Sequence, residues 1–357
     1  EDADKQIIEK LNALKASGES VVLLTGTLAS PSTEKIIAEF TTAFPNVKHV
    51  VYDAVSESGA LDAFEAMYGS RALPTYHFDK AETIVSIGAD FLGDWQGGYD
   101  KSYAAGRKVE TGKMSRHIQF ESNMTLTGAN SDLRVVVKPS EQIFTLVNLY
   151  NAITGANIPS KSTQADAAVK AAATELKTAG SKAVVVTGLN DKNAQIVAMA
   201  INNALQSEVM DVATTNNIRK GNDTEVAKVV ADIKSGAVKG LITYNVNPLY
   251  SLASASDISA KIEGLTLSVA ISEQNDETAS AAEFALPASH YLESWGDVSI
   301  TAGVHSLVQP TIQPLFNSRQ LQDVLLKWSG NTTSYYEYLK AYWTSNVLGG
   351  QSWNQAL

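Results

Sequence analysis

The sequence predicts an α/β fold in which two similar units each carry a central parallel sheet. Two observations lead there. The first is repetition: Ser20-Val-Val-Leu-Leu-Thr-Gly26 and Lys182-Ala-Val-Val-Val-Thr-Gly188 are strand-length runs that close on Thr-Gly, and an amphipathic helix follows each. The second is alternation, since apolar runs and helical patterns succeed one another along both halves of the chain, as βαβ units require. Runs that are apolar at every position belong to strands buried on both faces, which is the condition of parallel strands.

Taken in order, residues 5–16 put Ile7, Ile8, Leu11 and Leu14 on one helical face, and Gly18 stops the helix. After the first strand, Ser30-Pro31 reads as an N-cap and first helical position, and Ile36, Ile37, Phe40 and Phe44 form the buried face of the next helix. Val47–Val51 reads as a strand and residues 60–68 as a short helix. Thr83–Ile87 is a buried strand running into Gly88. A glycine-rich stretch, Gly93–His117, carries Lys101, Arg107, Lys108, Lys113 and Arg116 and is expected to be a solvated loop with those charges offset by Asp94, Asp100 and Glu110; an anion contact is the rarer reading of such a pattern. Gly128-Ala-Asn130 reads as a turn into the strand Leu133–Val137, which Pro139 ends. Helices are expected over 141–153, 165–178, from Ile196 to Leu205, over 225–234 and over 319–328, and a further strand begins at Gly240. The Pro, Ser and Lys content of 155–163 marks the expected boundary, giving units at 1–155 and 156–330 and an aromatic-rich helical segment at 331–357. Tyr335, Tyr336, Tyr338, Tyr342 and Trp343 in that segment suit either this chain's own core, the commoner case, or a partner surface.

At 357 residues folding removes roughly 75% of the unfolded chain's surface from water, enough for about two domains. No apolar run approaches the roughly 20 residues a membrane span requires. A net charge of −10 without a basic stripe argues against nucleic acid as a partner. With no cysteine the chain can hold neither thiolate zinc nor an iron-sulfur cluster. His49, His77, His117, His290 and His305 show no ligand spacing, there is no Gly-x-Ser-x-Gly elbow, and Glu57 and Asp62 read as solvated helix faces. Only Gly26 and Gly188 stand where a Gly-x-Gly-x-x-Gly turn would need three glycines, which disfavours NAD and FAD. The chain opens at Glu1 without an initiator Met or a leader, and it is expected to be a piece of something longer.

Three stretches carry a resemblance. Thr83-Ile-Val-Ser-Ile-Gly-Ala-Asp-Phe-Leu-Gly-Asp-Trp95 and Thr127-Gly-Ala-Asn-Ser-Asp-Leu-Arg-Val-Val-Val-Lys-Pro139 form the first. The strand exit Asn245-Val-Asn-Pro248 is the second, and Ser272-Glu-Gln-Asn-Asp-Glu-Thr-Ala-Ser-Ala-Ala-Glu-Phe-Ala-Leu-Pro287 with Tyr291-Leu-Glu-Ser-Trp-Gly-Asp297 the third. Together they resemble the molybdopterin oxidoreductase family, with its Gly-Ala-Asp or Gly-x-Asn-Pro turns, its Thr-Gly-Ala-x-Ala-Asp strand entry and its Glu-Thr-Ala-x-x-Ala-Asp-x-x-Leu-Pro segment. Gly88–Trp95 followed by Met114-Ser-Arg-His-Ile-Gln-Phe-Glu121 looks closest to one branch, the iron-sulfur subunit of alternative complex III, whose domain of this type is pterin-free.

The resemblance implies two Rossmann-like units. In an intact family site Gly88, Ala89, Asp90, Asn247 and Pro248 would flank the guanine-dinucleotide arms, and Pro139 would lead into Gly-Thr-Asp. Here Ser140, Glu141 and Gln142 follow it, Asn245 replaces a glycine, and no Cys is available for the metal. These positions, with Ser140 and Glu141, are therefore expected to be vestigial, with no cofactor, catalytic residue or metal in this chain and no turnover by itself. What the branch implies is a scaffold domain of the large subunit of a membrane quinol-oxidising complex, peripheral on the periplasmic side of the bacterial inner membrane. Its iron-sulfur clusters would lie in the rest of that subunit, and its partners would be c-type cytochrome and integral-membrane quinol-binding subunits. The competing implication is an active bis-molybdopterin guanine dinucleotide domain of the polysulfide or thiosulfate reductase type.

Overall fold

The computed structural model describes residues 2–112 and 114–357 and divides the chain into two compact units, Glu1–Ser56 with Lys220–Leu357, and Glu57–Arg219. The first part of unit 1 runs through α1 (Asp2–Ser17), β1 (Ser20–Thr25), α2 (Pro31–Ala43) and β2 (Val47–Val51). Unit 2 follows as α3 (Ser58–Tyr68), β3 (Leu73–Tyr76), β4 (Thr83–Ile87), α4 (Asp100–Ala105), β5 (Arg116–Glu121), α5 (Leu126–Ala129), β6 (Leu133–Val136), α6 (Pro139–Thr154), α7 (Asp166–Ala179), β7 (Ala183–Thr187), α8 (Lys192–Ala204) and β8 (Met210–Asn216). Unit 1 then resumes with α9 (Asp223–Ser235), β9 (Val238–Tyr244), α10 (Pro248–Ser251), α11 (Ala255–Glu263), β10 (Leu267–Ser272), α12 (Glu277–Ala281), β11 (Phe284–Pro287), β12 (Gly296–Val298), β13 (Ser306–Val308), α13 (Leu321–Trp328), α14 (Tyr335–Asn346) and α15 (Trp353–Ala356).

Unit 1 is built on a parallel sheet ordered β11-β10-β9-β1-β2. Alternation along β1 sends Val21 and Leu23 into one core with α1, α2, α13 and α14, and Val22 and Leu24 into another with α9 and α11. Helices cover both faces, which is why these strands read as continuous apolar runs. The heptad-like spacing of Ile7, Leu11 and Leu14 turns α1 onto the first core, and Ser30, whose hydroxyl accepts from Thr33 N, with Pro31 behind it, starts α2 where the sequence places it. The aromatic segment belongs to the same core: Tyr335 and Leu339 are fully buried, Trp343 and Trp353 nearly so, and Tyr336 and Tyr342 are half-buried against them. Of the two readings of those aromatics the structure takes the internal one, since an α14 packed on α13 and α2 buries more ring area than a bare face could hold.

Unit 2 carries a four-stranded parallel sheet, β6-β5-β4-β7, and an antiparallel ribbon of β3 with β8. Here Val85, Ile87, Ile118, Phe120 and Val185 face a core with α6, α7 and α8, while Ile84, Val184 and Val186 face the aromatic cluster of Phe78, Phe91, Trp95 and Tyr103.

The observed units differ from the expected boundaries at 155 and 330. Strand pairing decides this: β9 takes the free edge of β1 in register from Val21↔Gly240 to Thr25↔Tyr244, and β7 takes that of β4 from Thr83↔Ala183 to Ile87↔Thr187. Residues 57–154 therefore belong with 166–219 rather than with the first strands. The stretch 155–163 is a laced connection within unit 2, where Asn151 Nδ2 donates to Ile158 O at 2.9 Å, Ile158 N donates to Asn151 Oδ1 at 3.0 Å and Asn148 Nδ2 donates to Lys161 O at 2.9 Å. The glycine-rich stretch expected to be loop throughout ends in β5, and its arginines pair elsewhere than expected, Arg107 bidentately with Asp132 at 2.9 Å and Arg116 with Glu175 at 3.2 Å. Lys113 lies outside the described residues. The Gly128-Ala-Asn130 turn is the end of α5, capped by Thr125.

Candidate functional site

Parallel α/β sheets keep ligands outside the carboxyl ends of their strands, at the point where strand order reverses. In unit 1 the reversal falls between β1 and β9, and in unit 2 between β4 and β7.

At the unit 1 reversal lies a cavity of about 370 Å³, formed by the turn after β1, the exits of β9 and β10 and the segment from Ser289 to Gly296. The first turn of α2 opens on it, since Ser30 and Thr33 line its wall. Such a turn, with unpaired N–H groups and the positive end of the helix dipole, is a ready anion site. The anion is this chain's own. Asp297, 3% exposed, accepts from Ser30 Oγ at 2.5 Å, Ser32 Oγ at 2.7 Å, Ser32 N at 3.3 Å and Trp343 Nε1 at 3.0 Å. None of the residues lining the cavity is Lys, Arg or His, and Glu273 is among them.

Asn245 stands at the β9 exit with φ +47°, in the left-handed region, where Asn is tolerated and a β-branched residue is not. Its N–H donates to Ile271 O at 3.0 Å, so the conformation is fixed by the sheet edge. Asn245→Val is therefore expected to cost on the order of 1–2 kcal/mol and Asn245→Gly to be neutral or slightly stabilising, as read from urea denaturation midpoints. Asn247 is spent within the chain, its Nδ2 donating to Glu277 Oε2 at 2.6 Å and its Oδ1 accepting from Thr278 Oγ1 at 2.7 Å, while Pro248 is the buried first residue of α10.

At the unit 2 reversal the backbone itself closes the space. Gly88 has φ +71°, and a Cβ there would come 2.9 Å from Gln142 Oε1. A Cβ on Gly188, at the exit of β7, would collide with the carbonyl of Gly88. Ala89 is fully buried, and its carbonyl accepts from Ser86 Oγ at 3.0 Å and Gln119 Nε2 at 3.3 Å. Asp90 Oδ1 accepts from Thr127 N at 2.9 Å and Thr127 Oγ1 at 2.6 Å. Ser140 is exposed on the first turn of α6, and Glu141 beside it lies 3.5 Å from Lys138 Nζ. Thus Gly88, Ala89, Asp90, Ser140 and Glu141 share one edge of the unit 2 sheet, joined through Gln142, whereas Asn247 and Pro248 belong to unit 1.

Three groups escaped the sequence reading. Asp297 closes a quoted stretch, yet nothing local marks its partners. The polar face of β5 was legible as period-2 alternation in His117, Gln119 and Glu121: His117 Nε2 lies 3.2 Å from Gln119 Oε1, its Nδ1 3.1 Å from the Tyr103 hydroxyl, and Glu121 Oε1 accepts from Arg134 Nε at 2.5 Å. Burial holds the His117 imidazole down at about 4, with the Gln119 contact working the other way. Glu57, expected on a solvated face, is raised above the usual carboxylate range by burial, against the lowering hydrogen bond from Gln96 Nε2 at 3.1 Å; Asp62 accepts from Arg71 Nε at 2.8 Å. Among the described residues no group of three or more His, Cys, Asp or Glu could hold a metal ion.

Residues 141–327, more than half of the chain, match the family model described as molybdopterin oxidoreductase. The chain belongs to the molybdopterin oxidoreductase family. The protein of Nitratidesulfovibrio vulgaris Hildenborough named as the menaquinone reductase molybdopterin-binding-like subunit is 24% identical to this family member over 295 residues, which are 78% of this chain and 42% of that protein. The chain thus spans less than half the length of that relative. Among solved structures, acetylene hydratase from Pelobacter acetylenicus matches over 99% of this chain and 62% of its own at TM-score 0.73 and 13% identity. The formyltransferase/hydrolase complex from Methylorubrum extorquens matches over 91% and 95% at TM-score 0.61 and 13% identity. Both likenesses are of fold alone.

A pterin dinucleotide would bring pyrophosphates to these strand ends, and the residues present do not fit it. In unit 1 the helix N-terminus is taken by Asp297 and the cavity wall offers no cation. In unit 2 Gln142 lies on Gly88, and Glu141 sits on the turn of α6 that a phosphate would need, where like charges repel.

Proposed function

We propose that this chain is a pterin-free, non-catalytic scaffold domain in the large iron-sulfur subunit of a membrane quinol-oxidising electron-transfer complex of the alternative complex III type. Its work is positional: it holds a cluster-bearing remainder of the subunit against c-type cytochrome and integral-membrane quinol-binding subunits on the periplasmic side of the membrane. The observation that carries the pterin-free part is Asp297, a buried carboxylate that takes the α2 amide and hydroxyl donors where a phosphate would bind. The relationship to a quinone reductase subunit supports the assembly, and no helix among the described residues is long and apolar enough to cross a membrane, which suits a peripheral place.

Purification of the parent complex tests this. Elemental analysis is expected to give iron without stoichiometric molybdenum or tungsten, and extraction to give no oxidised-pterin fluorescence assignable to this subunit. Two pterins and one metal atom per copy would reverse the reading in favour of an active oxidoreductase domain.

A further inference from the structure

The cavity at the unit 1 reversal is more than a blocked cofactor site. At about 370 Å³ it lies in the range of small-molecule sites, about 300–1,000 Å³, and its wall carries polar groups that the fold leaves unused. Among the described residues the Glu273 carboxylate, the Asn245 amide, the hydroxyls of Tyr244 and Tyr291 and the indole N–H of Trp295 have no hydrogen-bond partner within the chain. Trp295 is fixed by ring contacts to Tyr336 at 4.8 Å and Trp353 at 6.2 Å, so it presents a preset aromatic surface. Burial, with Glu273 adding to it, pushes the Tyr244 hydroxyl up to about 12, so it stays a neutral donor.

The balance of these groups selects the ligand. An anion is disfavoured by Glu273 and by the absence of a cation in the wall. A cation would use Glu273 and the rings but leave the half-buried donors of Tyr244 and Trp295 without acceptors, and desolvated donors without acceptors are costly. A ligand with hydroxyls uses both sets at once, since each hydroxyl donates and accepts, and the apolar C–H face of its ring lies on an aromatic side chain. We propose that this cavity binds a neutral sugar ring, with Glu273 and Asn245 holding its hydroxyls and Trp295 and Tyr291 its apolar faces.

The inference rests on the reading that no dinucleotide fills this crevice, and one experiment separates the two. The intact protein is titrated with glucose, galactose, mannose and N-acetylglucosamine, and with GDP and choline as charged comparators, by calorimetry and tryptophan fluorescence. At least one sugar is expected to bind saturably and more tightly than either comparator, with affinity lowered at least tenfold by Glu273→Gln and by Tyr291→Ala, both exposed positions outside the core. The proposal is overturned if no sugar binds saturably, if both variants bind as the parent does, or if choline binds best. GDP binding best would overturn it and count against the pterin-free reading as well, whereas silence from all probes leaves that reading standing.

Discussion

Replacing Asp297 by alanine is expected to cost unit 1 about 3–5 kcal/mol, one of the two largest effects anticipated in this protein. The carboxylate is buried, and the change strands two donors that cannot turn elsewhere, Ser32 N–H and Trp343 Nε1–H, each worth about 1–3 kcal/mol once orphaned. Ser30 and Ser32 hydroxyls lose less, because Thr33 Oγ1 at 2.7 Å and Tyr335 OH at 2.7 Å remain as partners. Loss of a negative charge at the α2 N-terminus adds about 0.5 kcal/mol or more. Asp297→Asn keeps the shape but turns an N–H₂ group on the donors, so it is expected to fall between parent and Asp297→Ala. Guanidinium denaturation followed by tryptophan fluorescence, with amide exchange in α2 and α14 as a local readout, measures the loss. A change below about 1 kcal/mol with unaltered α2 protection would mean that the donors find other acceptors and that the internal anion is incidental.

Stability is expected to fall steeply as pH drops from 6.5 to 4, earlier than carboxylates alone would cause. Two histidines are responsible. His49, whose Nε2 lies 2.9 Å from Thr25 Oγ1, is held at about 4 by burial, and His117 is held at about 4 by burial with Arg107 adding to it, while Gln119, Asp132 and Glu121 pull the other way. Both values lie below the unfolded value of 6.5, so between pH 6.5 and pH 4 the unfolded chain binds more protons than the folded one, and acid favours unfolding. The full contribution is present above pH 6.5, and its loss by pH 4 is on the order of 3 kcal/mol per histidine. Asp132 and Asp211, both lowered to about 2, lose their contribution in a separate window, from about pH 4 downward. Arg107 is the first cause for Asp132, and the Thr214 backbone amide for Asp211. Denaturation at a series of pH values on the parent and on the double variant His49→Gln, His117→Gln is the measurement. Glutamine can donate and accept as imidazole does, so most of the slope above pH 4 should vanish; a slope that survives in the double variant would assign it to other groups.

What could be read in the sequence was what is local. Thr83–Ile87 and Ala183–Thr187 were legible because every residue is buried, and the start of α2 because a cap and a proline announce it. The ribbon of β3 with β8 was not, since Leu73-Pro-Thr-Tyr76 contains a proline and Met210–Asn216 is mostly polar and partly exposed. Nor was the division into units, because nothing near Val21 shows that its neighbour will be Gly240. Asp297 illustrates the limit at the site itself: its stretch was noticed for a family likeness, yet its role depends on Ser30 and Ser32 at the other end of the chain. Asn245, Glu273 and Trp295 were each within quoted stretches, and only the folded sheet edge gathers them into one wall.

The insertion of unit 2 between β2 and α9 also sets a timetable. As the chain leaves the ribosome, β1 and β2 emerge early, but the parallel neighbour that completes β1 arrives only with β9, after Glu57–Arg219 has been made. Unit 2 is continuous and can close its own sheet in that interval. Until β9 appears, the apolar face of Val21–Leu24 has one open edge and half its cover, so residues 1–56 stay open to aggregation while unit 2 is being made.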